Sequence, residues 1–226
     1  HITAPASNVY PLRDSTPLLH AALTEPLACI LRAQSRLALQ KGTTALVLGC
    51  GPLGLLHLQA LISQGMRVLV SDPLPQRRNM ALALGASVAF APSSGDLAVG
   101  VNQYTDGWGV EAAIVATGAV AAAEEALPLL AFDGKMILFA GIHPRANLVL
   151  DPNAVHYRET WITGSSDYTR AEFMQSLELI QRGELQLTPL ITDIFALDHI
   201  AEALAAVQSG ERLKVVVQCN PDLDLT

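Results

Sequence analysis

Three closely spaced glycines directly follow an apolar run of the chain. Gly49, Gly51 and Gly54 have the spacing Gly-x-Gly-x-x-Gly and come after the run 44–48. In a dinucleotide site the first glycine allows a tight turn, the second lets the backbone approach a pyrophosphate, and the third lets a helix pack closely on a strand. The phosphates lie at the helix N-terminus, where free N–H groups and the helix dipole favour negative charge. The spacing therefore predicts a phosphate-binding turn between a strand and a helix.

An acidic residue stands where the next strand of such a unit would end. Asp72 closes the β-rich run 68–71, at the distance of about 20 residues that a ribose-binding acid keeps from the glycine turn. A carboxylate there accepts hydrogen bonds from the adenosine ribose hydroxyls and repels the 2′-phosphate of NADP, so the pair favours NAD. Arg77 follows about one helical turn later, and it is either an adenosine contact or a solvated helix charge.

Other ligands also use a glycine turn of this kind. Sites for S-adenosylmethionine usually carry an acid two residues before the first glycine and a third glycine two residues after the second, and here Val47 and Leu53 occupy those positions. The other alternative is a glycine turn that binds no ligand. In that case the acid at position 72, at the spacing of a ribose-binding residue, would be a coincidence. Both alternatives stay open, and the sequence favours NAD over either of them.

β-Rich and helical runs alternate around these residues from residue 44 onward. We predict strands over 44–48, 67–71, 87–90, 111–115, 135–139 and 160–163, with helices over 52–64, 75–84, 95–103 and 119–130. Such alternation is typical of βαβ units that wind a parallel sheet. We therefore expect an α/β fold with a doubly wound, six-stranded parallel Rossmann sheet, whose ligand crevice lies at the carboxyl ends of the strands.

The flanking segments do not continue this alternation. Pro17 is suited to an early helical position, and Pro26 opens a helix that we expect to run to about Leu39. After residue 168 we predict a helix over 170–181, another with Asp198 as N-cap and 209–210 as its end, and a last strand over 214–218. We assign these flanks to a second, incomplete domain.

Composition narrows the classes of function. Half of the 226 residues are apolar and the formal net charge is −7, so a polyanionic nucleic acid would be repelled. Cys29, Cys50 and Cys219 form no Cys-x-x-Cys spacing, which argues against a disulfide framework or a cysteine zinc cluster and favours a reducing cytoplasm. The nearly uncharged run 42–66 is interrupted by glycines and Pro52, and we interpret it as strand, turn and buried helix rather than as a membrane span.

Taken together, several stretches resemble the zinc-dependent medium-chain dehydrogenase/reductases, in particular the alcohol, polyol and threonine dehydrogenase branch. The matching stretches lie between residues 8 and 218 and are ALTEPLAC at 22–29, VLGCGPLG at 47–54, Asp72 with Arg77, LGA at 84–86, DGWGV at 106–110, ATG at 116–118, GKMILFAG at 134–141 and Arg158-Glu159. The resemblance implies hydride transfer between a small secondary alcohol or polyol and NAD, with zinc polarising the substrate oxygen.

The resemblance also implies roles for individual residues. The pyrophosphate would be held by Gly49, Gly51, Pro52, Leu53 and Gly54, and the adenosine by Asp72 and Arg77. Thr117 and Gly118 would line the cofactor after the fourth strand, and the backbone at Ala140, Ile142, Ser165 and Asp167 would bind the nicotinamide carboxamide. Lys214 matches a basic residue that reaches the pyrophosphate, and its alternative role is that of an exposed lysine at a strand edge.

Glu25 is the candidate catalytic and zinc-associated residue. In the polyol branch that the chain resembles, the Glu of a Glu-Pro-Leu motif lies where other members place a cysteine ligand, near the zinc or its water. Zinc accepts oxygen ligands and lowers the pKa of what it binds, which prepares an alcohol for hydride loss. Alternatively, Glu25 is an acid at a helix start beside Pro26, favoured by the helix dipole.

The family's GroES-like catalytic segment has no counterpart in the sequence. That segment carries a cysteine ligand, a Gly-His-Glu pair and usually a four-cysteine lobe, so we expect zinc in a parent enzyme and an incomplete site in this chain. We predict the end of the GroES-like domain over 1–25, the dinucleotide-binding domain over 26–168 and a return into the catalytic domain over 169–226.

Two functional interpretations follow from these features. The chain is either the cofactor-binding part of an NAD-dependent dehydrogenase, inactive by itself, or an NAD(H)-binding module without catalysis. Zinc-free hydride chemistry of the quinone reductase type ranks behind them, because Glu25-Pro26 and Asp72 oppose it. The resemblance also implies a homo-oligomer, a dimer or tetramer, formed by sheet extension at the edge 160–163, whose backbone groups would otherwise face solvent. We expect no nucleic acid or membrane partner.

Overall fold

A computed structural model describes residues 3–92 and 95–225 of the chain. Its main sheet has six parallel strands, which are β1 (Thr44–Leu48), β2 (Arg67–Ser71), β3 (Val88–Phe90), β4 (Val110–Val115), β5 (Leu130–Leu138) and β6 (Trp161–Gly164). Their order is β3-β2-β1-β4-β5-β6. The order reverses between β1 and β4, and open α/β sheets bind ligands at such a switch point. The predicted doubly wound Rossmann sheet is confirmed.

Helices cover both faces of this sheet and flank it. They are α1 (Leu18–Ala21), α2 (Thr24–Leu37), α3 (Pro52–Ser63), α4 (Pro75–Ala83), α5 (Asp96–Tyr104), α6 (Val120–Ala126), α7 (Pro152–Arg158), α8 (Arg170–Gln181) and α9 (Ile200–Gln208). One core contains buried side chains of α2, α3 and α8, and the other contains those of α5 and α6.

The central strand explains the uncharged run in the sequence. All five residues of β1 are buried, with Ala45 and Val47 in the first core and Leu46 and Leu48 in the second. Successive side chains of a strand point to opposite faces, so a strand covered on both faces needs no polar residue. Helix α3 is buried over most of its length. None of the helices within the described residues is both long and apolar enough to span a membrane.

A second, smaller sheet follows the main one. Strands β7 (Ile191–Ala196) and β8 (Lys214–Gln218) pair in parallel, and α9 connects them. The C-terminal flank thus does not extend the main sheet, as expected, and β8 has the predicted bounds. Strand β7 was not predicted, because its more buried face carries Asp193 and its exposed face carries Ile194. That pattern hides the alternation that indicates a strand.

Several predicted boundaries need correction. Strand β5 begins at Leu130 rather than at 135, because Val110 pairs with Leu130 before the register shifts and Ala112 pairs with Lys135. The helix predicted over 119–130 ends at Ala126 and continues as a short 3-10 turn that contains Pro128.

Two corrections concern helix starts. Asp198 is not the N-cap of α9, because it lies in the 3-10 turn Leu197–His199 and His199 occupies the cap position. Helix α7 was not predicted, although Asp151 is its N-cap and accepts a hydrogen bond from the Asn153 N–H at 2.9 Å. Pro152 at its first position fits this start.

Candidate cofactor site

The glycine turn connects β1 to α3 at the carboxyl edge of the sheet. Gly49 has φ +95°, a backbone conformation that residues other than glycine rarely adopt. A Cβ on Gly54 would lie 1.8 Å from the carbonyl oxygen of Gly49, so the third glycine allows the close approach of helix and turn. A Cβ on Gly51 would meet nothing within 4 Å. Each position therefore favours glycine for a different reason: Gly49 for its positive φ, Gly54 for close packing and Gly51 for the open space beside it. Of these three, only Gly51 faces open space.

Helix α3 begins at this open space. Gly51 is its N-cap residue, no side chain caps it, and Pro52 stands at its first position. The first N–H groups of a helix have no partner within the helix, and uncapped ones are available to an anion. Leu53 and Gly54 follow in the first turn. The fit to a pyrophosphate thus combines an uncapped helix of twelve residues with an open glycine.

Asp72 has a structural role in addition to the predicted one. Its side chain is only 3% exposed. Its Oδ2 accepts a hydrogen bond from the Cys50 N–H at 2.7 Å, and its Oδ1 accepts one from the Leu74 N–H at 2.8 Å. The carboxylate therefore joins the glycine turn to the end of β2. An ionised carboxylate has further acceptor capacity, so ribose binding by Asp72 stays a prediction.

A cleft of about 290 Å³ lies beside the turn. Five of the predicted cofactor residues line it: Gly49, Gly51, Asp72, Arg77 and Thr117. The wall also contains residues that the sequence did not suggest, among them Pro73, Pro92, Ala119, Ala122 and Glu125. Proline and alanine side chains make this part of the wall small and apolar. Because these residues follow β2, β3 and β4, the cleft crosses the carboxyl ends of neighbouring strands.

Arg77 connects the cleft wall to the C-terminal part of the chain. Its Nη2 donates a hydrogen bond to the carbonyl oxygen of Gly210, just after α9, at 2.6 Å. Arg78 turns to the backbone instead and donates to the carbonyl oxygen of Asp72 at 2.7 Å. Lys214 is half-buried in β8, and its carbonyl oxygen accepts from the Thr192 hydroxyl at 3.3 Å. Lys214 is not among the residues that line the cleft.

The loops after β4 and β5 contact each other where the resemblance places the nicotinamide. The Ala140 N–H donates to the carbonyl oxygen of Val115, and the His143 N–H donates to that of Gly118, both at 3.1 Å. Ile142, between them, is half-buried. Because the N–H of Ala140 is bonded to the sheet, only its carbonyl oxygen is available for the predicted hydrogen bond to the nicotinamide carboxamide.

Two further predicted residues follow β6. The Ser165 hydroxyl is buried and has no hydrogen-bond partner in the described part of the chain, so it is available to a ligand. Asp167 has φ +63° and accepts a hydrogen bond from the Tyr168 N–H at 2.8 Å. Its carboxylate thus stabilises the turn that leads into α8.

A separate group of side chains surrounds Glu25. Glu25 lies in the first turn of α2, where the helix dipole favours an acid. The Cys29 thiol donates to Glu25 Oε1 at 3.6 Å. Burial, followed by the charge and hydrogen bond of Glu25 and then by the charge of Asp167, raises the pKa of Cys29 to about 11. Burial and the charges of Glu25 and Asp167 also raise the pKa of Tyr168.

This group does not form a metal site by itself. Within residues 3–92 and 95–225, no three His, Cys, Asp or Glu side chains are placed so that they could hold a metal ion together. The sequence could have suggested Cys29, because residues i and i+4 of a helix are neighbours. The approach of Asp167 and Tyr168 depends on tertiary packing, which no local pattern reports.

Comparison with known proteins gives one family for this arrangement. The sequence matches a family model described as zinc-binding dehydrogenase over residues 52–182. A D-arabitol-phosphate dehydrogenase from Enterococcus avium is 31% identical over 225 residues, which cover 98% of this chain and 64% of that protein. The chain therefore spans less than two thirds of this relative's length.

Solved structures agree on the fold. A zinc-binding dehydrogenase from Sinorhizobium meliloti 1021, bound to NADP, matches with a TM-score of 0.88 at 22% identity, over 95% of this chain and 64% of that one. An alcohol dehydrogenase from Escherichia coli CFT073, complexed with NADH, matches with a TM-score of 0.84 at 22% identity, over 95% of this chain and 63% of that one. At such identities the likeness establishes the architecture alone.

Proposed function

Because the chain belongs to the zinc-binding dehydrogenase family, we propose that it is the cofactor-binding part of an NAD-dependent alcohol or polyol dehydrogenase. The proposal is carried by the structure of the glycine turn. There is open space beside Gly51, the helix that begins there has no side-chain cap, and the buried Asp72 lies next to the turn. The name of the Enterococcus relative, a sugar-alcohol phosphate dehydrogenase, supports a small alcohol or polyol as the substrate of the whole protein.

Different residues of the chain would bind different parts of the cofactor. The backbone at Gly51, Leu53 and Gly54 would hold the pyrophosphate, and Asp72 would accept hydrogen bonds from the ribose. The carbonyl oxygen of Ala140 and the unpartnered Ser165 hydroxyl would orient the carboxamide. When bound, the nicotinamide supplies the hydride acceptor for a secondary alcohol.

We propose NAD as the cofactor rather than NADP. A 2′-phosphate would approach the carboxylate of Asp72, which is anchored by two backbone N–H groups and cannot swing away without breaking both bonds. Arg78 is the cation that follows Arg77 in the sequence. Its guanidinium already donates hydrogen bonds to the carbonyl oxygens of Asp72 and Pro73. Relatives in fold bind NADP in one case and NADH in another, so the choice depends on this local charge.

Zinc would be held mainly by a part of a longer protein. Glu25 would supply one oxygen ligand or contact the zinc-bound water, where zinc polarises a substrate oxygen. The chain alone is then inactive, and its segments 1–25 and 169–226 belong to the catalytic domain. The β7–β8 sheet supports this proposal, because two parallel strands rarely form a stable sheet alone.

We also propose a cytoplasmic homo-oligomer, a dimer or tetramer. Strand β6 is at the edge of the main sheet, and Trp161 on it and Phe132 on the neighbouring strand are each 62% exposed. An exposed edge with large apolar side chains favours pairing with a second copy.

The second candidate function is an NAD(H)-binding module without catalysis. It requires no metal ligands, and Glu25, Cys29 and Asp167 form no metal site among the described residues. Zinc analysis of the purified chain tests the incomplete metal site, which both candidates share. We expect well under one zinc per chain, and one tightly bound zinc per chain would contradict the incomplete site and exclude the simple module.

Titration with NADH tests the main proposal. Nicotinamide fluorescence should rise to saturation on binding, and excess NAD should reverse the rise. Excess S-adenosylmethionine should not. If NADH does not bind, or if S-adenosylmethionine binds more tightly, the assignment of the glycine turn is wrong.

A further inference from the structure

We infer, on the basis of the proposed dinucleotide function, that Glu125 recognises the adenine base by accepting a hydrogen bond from its 6-amino group. Glu125 lies near the end of α6 and lines the same cleft as Gly49, Gly51 and Asp72. Neither its position after β4 nor any motif in the sequence marks it as a cofactor contact. The inference therefore comes from the shape of the cleft.

The cleft has a region suited to a flat base. Pro73 follows β2, Pro92 follows β3, and Ala119 and Ala122 belong to the region that begins α6. These small apolar side chains leave room for an aromatic ring and contact it without polar groups of their own. Pyrophosphate, ribose and adenine are joined in this order in the cofactor. The glycine turn, Asp72 and the proline-alanine region offer matching surfaces within one cleft.

Glu125 supplies the polar group that this region otherwise lacks. Its side chain is half-buried, and it also lines an adjacent pocket with Leu97, Pro128 and Leu129. None of the described residues forms a hydrogen bond or an ion pair with its carboxylate. Its acceptor capacity is therefore free of other described side chains and backbone groups, and a ligand N–H at the apolar wall can use it.

The other acid on the cleft wall has a different role in this proposal. Asp72 is fixed at the glycine turn by two backbone N–H groups, and its remaining acceptor capacity is assigned to the ribose hydroxyls. An ionised carboxylate is only an acceptor, so Glu125 matches a base that presents N–H donors. Adenine presents its 6-amino group. Hypoxanthine presents a carbonyl oxygen at that position and carries its N–H donor at N1, so a carboxylate placed for the 6-amino group would face a second acceptor.

Paired fluorescence titrations test the inference. NADH and reduced nicotinamide hypoxanthine dinucleotide carry the same reporting nicotinamide and differ only in the base. Wild-type protein should bind NADH roughly five- to tenfold more tightly, the size expected for one hydrogen bond to a partly exposed charged group. In Glu125→Gln the ratio should fall close to one, because the amide accepts from adenine and donates to hypoxanthine.

The adjacent acid provides a matched control. Glu124 is also half-buried on α6, but its Oε1 accepts the Val149 N–H at 3.1 Å. Glu124→Gln makes the same chemical change, keeps an oxygen for that bond, and should preserve the wild-type ratio. If wild type binds both dinucleotides equally, or if Glu125→Gln keeps the wild-type ratio, the inference is overturned while NADH binding stands. If wild type binds no NADH, the proposed function fails as well.

Discussion

The glycine turn and the group of side chains around Glu25 are built in different ways. The glycine turn uses backbone groups fixed by buried neighbours, with β1 buried throughout and Asp72 bonded to two N–H groups. The group near Glu25 uses side chains from α2 and from the segment after β6, and these include the half-buried Cys29 and the exposed Asp167. The glycine turn belongs to one strand-turn-helix unit. The side chains near Glu25 come from separate elements and form no metal site among the described residues.

This difference shows which parts of a site a short segment can carry. A turn between strand and helix contains its own anion site, because the orphan N–H groups belong to the helix itself. A metal site requires several side chains to converge, and their convergence depends on the tertiary structure. We therefore expect substitutions at the turn to act on folding and cofactor binding, and substitutions near Glu25 to act on local chemistry alone.

The largest effect should come from Gly54→Ala. Its Cβ would lie 1.8 Å from the Gly49 carbonyl oxygen, so the turn and α3 must move apart. Overpacking of this severity typically costs about 3 kcal/mol or more of folding free energy. Urea unfolding should show that loss, and NADH binding should disappear with it.

Gly51→Ala separates binding from folding at the same turn. Its Cβ meets nothing within 4 Å, so urea unfolding should stay close to wild type. NADH should nevertheless bind much more weakly, because the methyl group would occupy the space that the pyrophosphate approaches. Unchanged NADH affinity in Gly51→Ala would show that the open space is not the phosphate site.

The turn was predictable because its chemistry is local. Gly49, Gly51 and Gly54 lie within one short segment, and strand, turn and helix follow in order. Glu125 was not predictable, because which α6 side chain faces the cleft depends on how α6 packs against the strands. Strand β7 was missed for a related reason, since Asp193 lies on its more buried face and Ile194 on its exposed face.

Asp72→Asn should have the next largest effect. The amide keeps one acceptor oxygen and places an NH₂ group against the second backbone N–H, so we expect a loss of about 2 kcal/mol in urea unfolding. The affinity for NADH should fall more than the affinity for NADPH. Both cofactors lose the ribose acceptor, but for NADPH the loss is offset because the substitution also removes the repulsion of the 2′-phosphate. Asp106→Asn is the control, since Asp106 is exposed and precedes β4 at the opposite edge of the sheet. Equal losses for both cofactors would show that the ribose assignment is wrong.

The core beneath the crevice should be sensitive to acid. His57 on α3 is fully buried, its Nδ1 lies 3.2 Å from the Gln34 amide, and its ring packs edge-on against Phe139. Burial lowers its pKa to about 3. Between pH 6.5 and about pH 3 the unfolded chain therefore binds a proton at His57 that the folded chain does not. The contribution of His57 to stability should fall as the pH falls through this window, by about 1.4 kcal/mol per pH unit.

His57→Gln removes this titration, so its urea unfolding should lose less stability than wild type between pH 7 and pH 5. His199→Gln is a control of opposite sign. The pKa of the exposed His199 is raised by its hydrogen bond and charge interaction with Glu202, so His199 contributes stability at acidic pH that is lost as the pH rises. Parallel acid profiles for wild type and His57→Gln would contradict the buried neutral imidazole.

The smallest effect should appear at the Glu25 end. Glu25→Gln removes a negative charge beside Cys29, so the pKa of the thiol should fall from about 11 and remain above its ordinary value, because burial is the largest cause of the shift. Alkylation proceeds through the thiolate, so the rate at pH 9, followed at Cys29 by mass spectrometry, should rise several-fold. The exposed Cys219 serves as internal reference. Urea unfolding and NADH affinity should change little, because no backbone group of the glycine turn depends on Glu25. A large loss of either would mean that the glycine turn and the group around Glu25 are coupled.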